Sequence, residues 1–212
     1  MSSILDLLNS DLGKSLINGA AAQTGQSTEK TSNVLSQAMP LILGAMQRNA
    51  ATPQGAQSLN KALEDPRHTG GGMVDLLGSL MGGGDSSSLL NEGAGILGHV
   101  LGGKQPQVEN ALSKTSGMDT ESIAQILKIA APIVMGMLSK QKQVTNTDQN
   151  GIGGLLGNVL GQGGGGNQSF LESILDANND GSIMDDVAGM VMGGSKKKGG
   201  LGGLLGGLFG GK

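Results

Sequence analysis

The chain has no cysteine, tryptophan or tyrosine, and only two phenylalanines, Phe170 and Phe209, among 212 residues. Without cysteine there are no disulfides, thiolate nucleophiles or thiolate metal sites. That composition suits a reducing compartment, and a cytoplasmic location is the expectation. The shortage of aromatic side chains leaves almost nothing on which nucleobases could stack. Net charge is −3 and there is no basic stripe, so nucleic-acid binding is not expected. The first residues, Met1 to Leu8, carry Asp6 and no basic group, which is not the pattern of a secretory signal. Long apolar runs are missing too. The longest, Ile126 to Leu138, is broken by Lys128 and is too short to span a bilayer, so it reads as a buried core helix.

What remains to build a core is Leu, Ile, Val, Ala and Met. Methionine, present 11 times, packs adaptably but specifies geometry weakly. A core without large aromatic side chains buries less area per residue. Self-association, or a protein partner, is a natural way to bury more. Glycine is abundant, at 40 of 212 residues, and it clusters.

Two stretches are copies of each other. Residues 24–48 and 116–140 pair Gly25 with Gly117, Glu29 with Glu121, Pro40 with Pro132, and Gly44 with Gly136, at a constant offset of 92 (132 − 40). A duplicated helical unit follows from that register. Ser27 and Asp119 stand where an N-cap belongs, and their oxygens can accept from first-turn amides. Glu29 and Glu121 then sit where the helix dipole favours negative charge. Val34, Leu35, Ala38, Ile42, Ala45 and Met46 recur at helical spacing, as do Ile123, Ile126, Leu127, Ala130, Ile133, Val134, Met137 and Leu138.

Each copy carries a proline inside this pattern. Two arrangements fit: one bent helix, or two shorter helices with the proline opening the second. The apolar stripe crosses the proline in phase, which favours a bent helix. Gly44 and Gly136 follow one turn later and would leave a notch for a neighbouring helix.

Around these stretches the expected fold class is all-α. It is a duplicated helical bundle with kinked central helices, Gly-rich linkers and a short helix-loop-helix near the C-terminus. Residues 1–83 read as the first repeat and 84–161 as the second, with residues 84–115 mirroring 1–23. A Gly-rich linker follows at 162–168, a helix-loop-helix at 169–193, and a basic Gly/Leu tail at 194–212. Residues 3–22 are expected to be helical, with Gly13 and Gly19 as interruptions or caps. Thr52 to Gly55 reads as a turn, and Leu59 to Leu63 as a short helix stopping near Asp65-Pro66. Lys142 to Asn150 reads as a polar connector. One short pattern occurs three times: Leu76 to Gly82, Leu155 to Gly161 and Leu204 to Gly210. Each is a turn or two of apolar helix between glycines. It is either a helix closing over the bundle or a docking element for partners or lipid.

The doubled pattern, Gly-x-Asp/Ser-Thr-Glu followed by a helix bearing Leu35/Leu127, Pro40/Pro132 and Gly44/Gly136, resembles the YidB-like bacterial family. That family is described as domain of unknown function nine-three-seven. The resemblance spans roughly residues 1–145. It implies a compact all-helical bacterial fold and carries no activity or catalytic residues.

One constellation suggests a ligand. Asp176, Asn178 and Asp180 alternate ahead of Gly181, which resembles an EF-hand or dockerin-like calcium loop. Alternating oxygen side chains converge on one hard cation, and glycine permits the sharp turn. Ser182 would add its carbonyl. The usual bidentate acid falls at Val187, so a shortened loop would use Asp186. The other reading is an Asn-Asp-Gly turn between two short helices. His68 and His99 have no second ligand at metal spacing, and no triad or acid/base pair is recognisable. No enzyme is expected. A non-enzymatic interaction or scaffold protein with a calcium-responsive unit is the first functional expectation. The second is a peripheral protein held to an anionic membrane surface by Lys196 to Lys198 and the Leu/Phe tail.

Overall fold

The computed structural model describes residues 8–69, 78–80 and 86–161. The architecture is all-α, and no strand occurs among the described residues. In chain order the helices are α1 (Asp11–Thr24), α2 (Thr28–Ala50), α3 (Pro53–Glu64), α4 (Ser87–Val100), α5 (Gln105–Ser116), α6 (Thr120–Thr145) and α7 (Ile152–Gly161). Short 3-10 turns at Gly102–Lys104 and Gln149–Gly151 lead into α5 and α7.

The two long helices, α2 and α6, begin in the same way. Before α2, Gly25 ends α1 at φ 65°, and before α6, Gly117 ends α5 at φ 66°. This left-handed conformation is open to glycine without steric cost. Two residues later the N-caps follow. Ser27 Oγ accepts from the Lys30 amide at 3.3 Å. Asp119 does more: Oδ1 accepts from the Ser122 amide at 2.8 Å and Oδ2 from the Ser122 hydroxyl at 2.7 Å.

Pro40 and Pro132 both lie inside unbroken helices, so the arrangement with two shorter helices does not occur. Both prolines are buried. Apolar side chains recurring at helical spacing make a wide buried face on each helix, with Val34, Leu35, Ala38, Ile42 and Met46 on α2 and Ile123, Ile126, Leu127, Ala130 and Leu138 on α6. These belong to one core that runs through both halves of the chain. Helix α2 packs on α6, α4 lies along α6, and α7 crosses back onto α2.

By length and composition α6 would pass for a membrane span. In this fold, 78% of its most apolar window is buried inside the bundle, as expected of a core helix.

A very close helix contact lies at Gly93 of α4. A Cβ there would come within 1.8 Å of the Lys128 carbonyl oxygen of α6, so the two backbones touch where no side chain fits. The notch expected from the sequence pattern is at Gly44 and Gly136, a separate place. Gly136 is buried and Gly44 half-buried.

Several local readings are corrected. Gly13 and Gly19 do not interrupt a helix; both are buried inside α1, which is capped by Ser10 Oγ accepting from the Gly13 amide at 3.2 Å. Thr52 to Gly55 is not a free turn. Thr52 caps α3, its hydroxyl accepting from the Gly55 amide at 3.0 Å, and Pro53 takes the first helical position, where a missing N–H costs nothing. The polar connector begins later than Lys142, because α6 continues to Thr145 and ends on Asn146 at φ 48°.

Candidate functional site

Asp176, Asn178, Asp180, Ser182 and Asp186, the residues expected to hold calcium, lie outside the described residues. So does the basic tail with Lys196 to Lys198. Among the described residues no group of three or more His, Asp or Glu side chains could hold a metal ion.

Three features of the described bundle bear on function. The first is the seat of the Gly/Leu pattern. Its copy in α7 presents Leu155, Leu156 and Val159 to the core, with Leu156 fully buried, while Asn158 faces outward. Gly157 passes close to Gln47 of α2, and a Cβ there would lie 3.5 Å from Nε2. Of the first copy, residues 78–80 are described. Leu80 is buried, and its side chain covers Gly19 of α1 so closely that an added Cβ would meet Cγ at 2.6 Å. Leu80 and Val159 hold the same place in the pattern, and both face the bundle.

The second feature is a polar cleft of about 440 Å³ at the C-terminal end of α6. Gln141, Thr145, Asn146, Thr147, Asp148 and Asn158 line it, with Leu155 and Val159 forming an apolar wall. The left-handed turn at Asn146 starts the chain's reversal, and Asp148 Oδ1 accepts from the Gly151 amide at 2.9 Å to start the next turn. Beside it Lys142 Nζ meets Glu64 Oε1 at 2.7 Å. That bond and charge hold the exposed Glu64 carboxyl below its ordinary range. With the Glu64 end open to solvent, the pair contributes little to stability. The cleft offers donors and acceptors but no nucleophile paired with a base.

The third feature joins the end of α3 to α4. His68 is buried, Nδ1 lies 2.7 Å from the Ala62 carbonyl, and Nε2 lies 3.0 Å from Glu92 Oε1. Arg67 binds Asp65 through a 2.7 Å ion pair, which holds the Asp65 carboxyl well below the ordinary carboxylate range. Glu92 also raises the Arg67 guanidinium, though less than Asp65 does. The sequence gives no sign of the His68–Glu92 contact. The two residues belong to different elements and share no helical spacing; His68 lies in the turn after α3, and α3 and α4 both pack on α6.

The family model for a bacterial protein of unknown function, DUF937, matches residues 6–141. The chain belongs to this family. The match takes in α1 to α5 and most of α6, and stops before the polar cleft's turn and α7. No curated protein and no solved structure matches the chain.

Proposed function

We propose that this chain is a non-enzymatic, cytoplasmic interaction protein of the YidB-like branch of its family, which assembles with further copies of itself through its Gly/Leu segments. The observation that carries this reading is the seating of α7. A segment that is nearly half glycine and otherwise mostly Leu, Ile and Val folds as a helix and buries Leu155, Leu156 and Val159 against α2 and the rest of the core. Residues 204–210 repeat the same pattern, with Leu204, Leu205 and Leu208 at the positions of Leu155, Leu156 and Val159. A bundle that accepts one such segment offers the right chemistry for another.

Sedimentation velocity on the full chain and on a chain ending at residue 194 tests this. Concentration-dependent assembly of the full chain and its loss on truncation are expected. Equal behaviour of the two overturns it.

A second reading is supported by Lys196 to Lys198 beside Leu201, Leu204, Leu205, Leu208 and Phe209, a basic and apolar combination suited to anionic lipid. Flotation of the same two chains with anionic vesicles distinguishes it, since lipid binding needs the tail but no second copy. In either case Asp176, Asn178, Asp180, Ser182 and Asp186 supply oxygen donors for calcium. Titration calorimetry of the full chain with calcium should show heat that Asp186→Ala removes. No heat at millimolar calcium returns the segment to a simple turn.

A further inference from the structure

We propose that the cleft at the end of α6 receives the basic Gly/Leu segment, Lys196 to Leu208, of a second copy of this chain. The inference rests on the assembly reading above and names the place where that assembly is made. Beside the cleft of about 440 Å³ lies a second part of about 420 Å³. Asn146, Thr147 and Asp148 border both, so the two parts meet at the turn between α6 and α7.

The larger part suits a peptide backbone with apolar side chains. Gly154 lies in its wall, and a Cβ there would meet no neighbouring element within 4 Å. Bare backbone at that point lets another chain come close. Gln141, Asn146 and Asn158 present carboxamides, which both donate and accept, as a peptide unit does. Leu155 and Val159 form the apolar side of the wall. The smaller part is acidic. Among the described residues that line it, Glu64 and Asp148 outnumber the one cation, Lys142. The C-terminal end of α6 adds partial negative charge at the shared turn.

The segment carries both chemistries in the order that two adjoining parts require. Lys196, Lys197 and Lys198 come first, and no acid follows them up to Lys212. From Gly199 to Leu208, six residues are glycine and four are leucine. Glycine leaves backbone N–H and C=O groups uncovered for the carboxamides, and leucine suits the apolar wall. The three lysines match the acidic part. The shared turn and α7, like the segment itself, follow residue 141, where the family match ends. One stretch of the chain thus supplies most of the cleft and also its occupant.

The absence of cysteine makes a clean test possible, because Gly207→Cys gives a single attachment point for a nitroxide. The full chain carrying that label is mixed, without lipid, with the unaltered full chain enriched in nitrogen-15. Only contact between copies can then broaden the observed amide signals. Broadening should be strongest at residues 145–148 and 151–159. Gly154→Gln in the observed copy fills the cleft and should abolish that broadening and weaken self-association in sedimentation. Gly153→Gln should leave both intact, since Gly153 has the same open space but does not line the cleft. Assembly with broadening centred elsewhere, or equal behaviour of the Gly153 and Gly154 variants, overturns the docking place and leaves the assembly reading standing. Broadening of the cleft only when label and nitrogen-15 share one chain means that each copy holds its own segment, which overturns the proposal. A full chain that stays monomeric overturns the assembly reading and this inference with it.

Discussion

Helices α2 and α6 carry the same plan and complete it differently. Both follow a left-handed glycine, start on a capping side chain, carry a buried proline and bury one wide face. The caps differ: Ser27 makes one long bond, whereas Asp119 makes two short ones. One turn further in, α6 buries Ile123, but α2 buries Thr31, whose hydroxyl is fully enclosed and without a partner. At the next turn Lys128 of α6 receives the backbone of α4 at Gly93, while the matching Ser36 of α2 is half-buried and bonds back to the Asn33 carbonyl at 2.7 Å. At the far end Ser139 of α6 is buried and donates to the Leu63 carbonyl at 2.5 Å, where α2 has the exposed Gln47. The difference teaches that register and capping come from the repeated residues, whereas depth of packing comes from what each helix meets.

The largest expected effect comes from removing the contact that α6 has and Ser36 lacks. Gly93→Ala drives a methyl group into the Lys128 carbonyl and should cost about 3 kcal/mol, because backbone on both sides must move. Gly95→Ala, two residues on and facing open space, should instead add about 0.5–1 kcal/mol from helix propensity. Ser36→Ala should change the denaturation midpoint little. A mild effect of Gly93→Ala would mean that α4 shifts freely along α6.

Next in size is a change that makes α2 more like α6. Thr31→Val keeps the shape and removes an enclosed, unpartnered hydroxyl, so stability should rise by about 1 kcal/mol. The reciprocal Ile123→Thr should lower it by more, since it adds a polar group and removes buried carbon. A fall in melting temperature on Thr31→Val would show that the hydroxyl has a partner.

The smallest effect separates the two caps. The Ser122 amide, and then its hydroxyl, hold the Asp119 carboxyl below its ordinary range. A depressed carboxyl contributes stability that is present above its unfolded value and is lost as pH falls through the folded one. Asp119→Ser should therefore flatten part of the acid-side decline below about pH 4, leaving α6 capped as α2 is. Unchanged acid melting would mean that the cap bonds do not persist in solution.

Much of the fold was legible because it depends on local rules. The glycine, cap and apolar spacing of α2 and α6 are visible in one pass along the chain, and so is the all-α class. The phase of the apolar stripe across Pro40 and Pro132 was enough to choose a continuous helix. Where the reading slipped, a local signal had two meanings. Thr52-Pro53 can end a turn or open a helix, and Gly13 and Gly19 can break α1 or let neighbours approach it; tertiary packing decided each. The close approach at Gly93 was hidden because its partner is a backbone oxygen, which leaves no trace in residue type. His68 and Glu92 were hidden because their contact joins the turn after α3 to a distant helix. The calcium loop at Asp176 to Asp186 and the tail lie outside the described residues, so their reading rests on sequence chemistry.

The central claim, that Gly/Leu segments are the means of assembly, is tested most directly one residue at a time. Within the pattern Leu208 stands where Leu80 and Val159 are buried, and Gly207 where Asn158 is exposed. Sedimentation velocity of the full chain without lipid should show self-association that Leu208→Asp abolishes and Gly207→Asp leaves unchanged. Equal behaviour of the two variants, or a full chain that stays monomeric at every concentration, would contradict the claim.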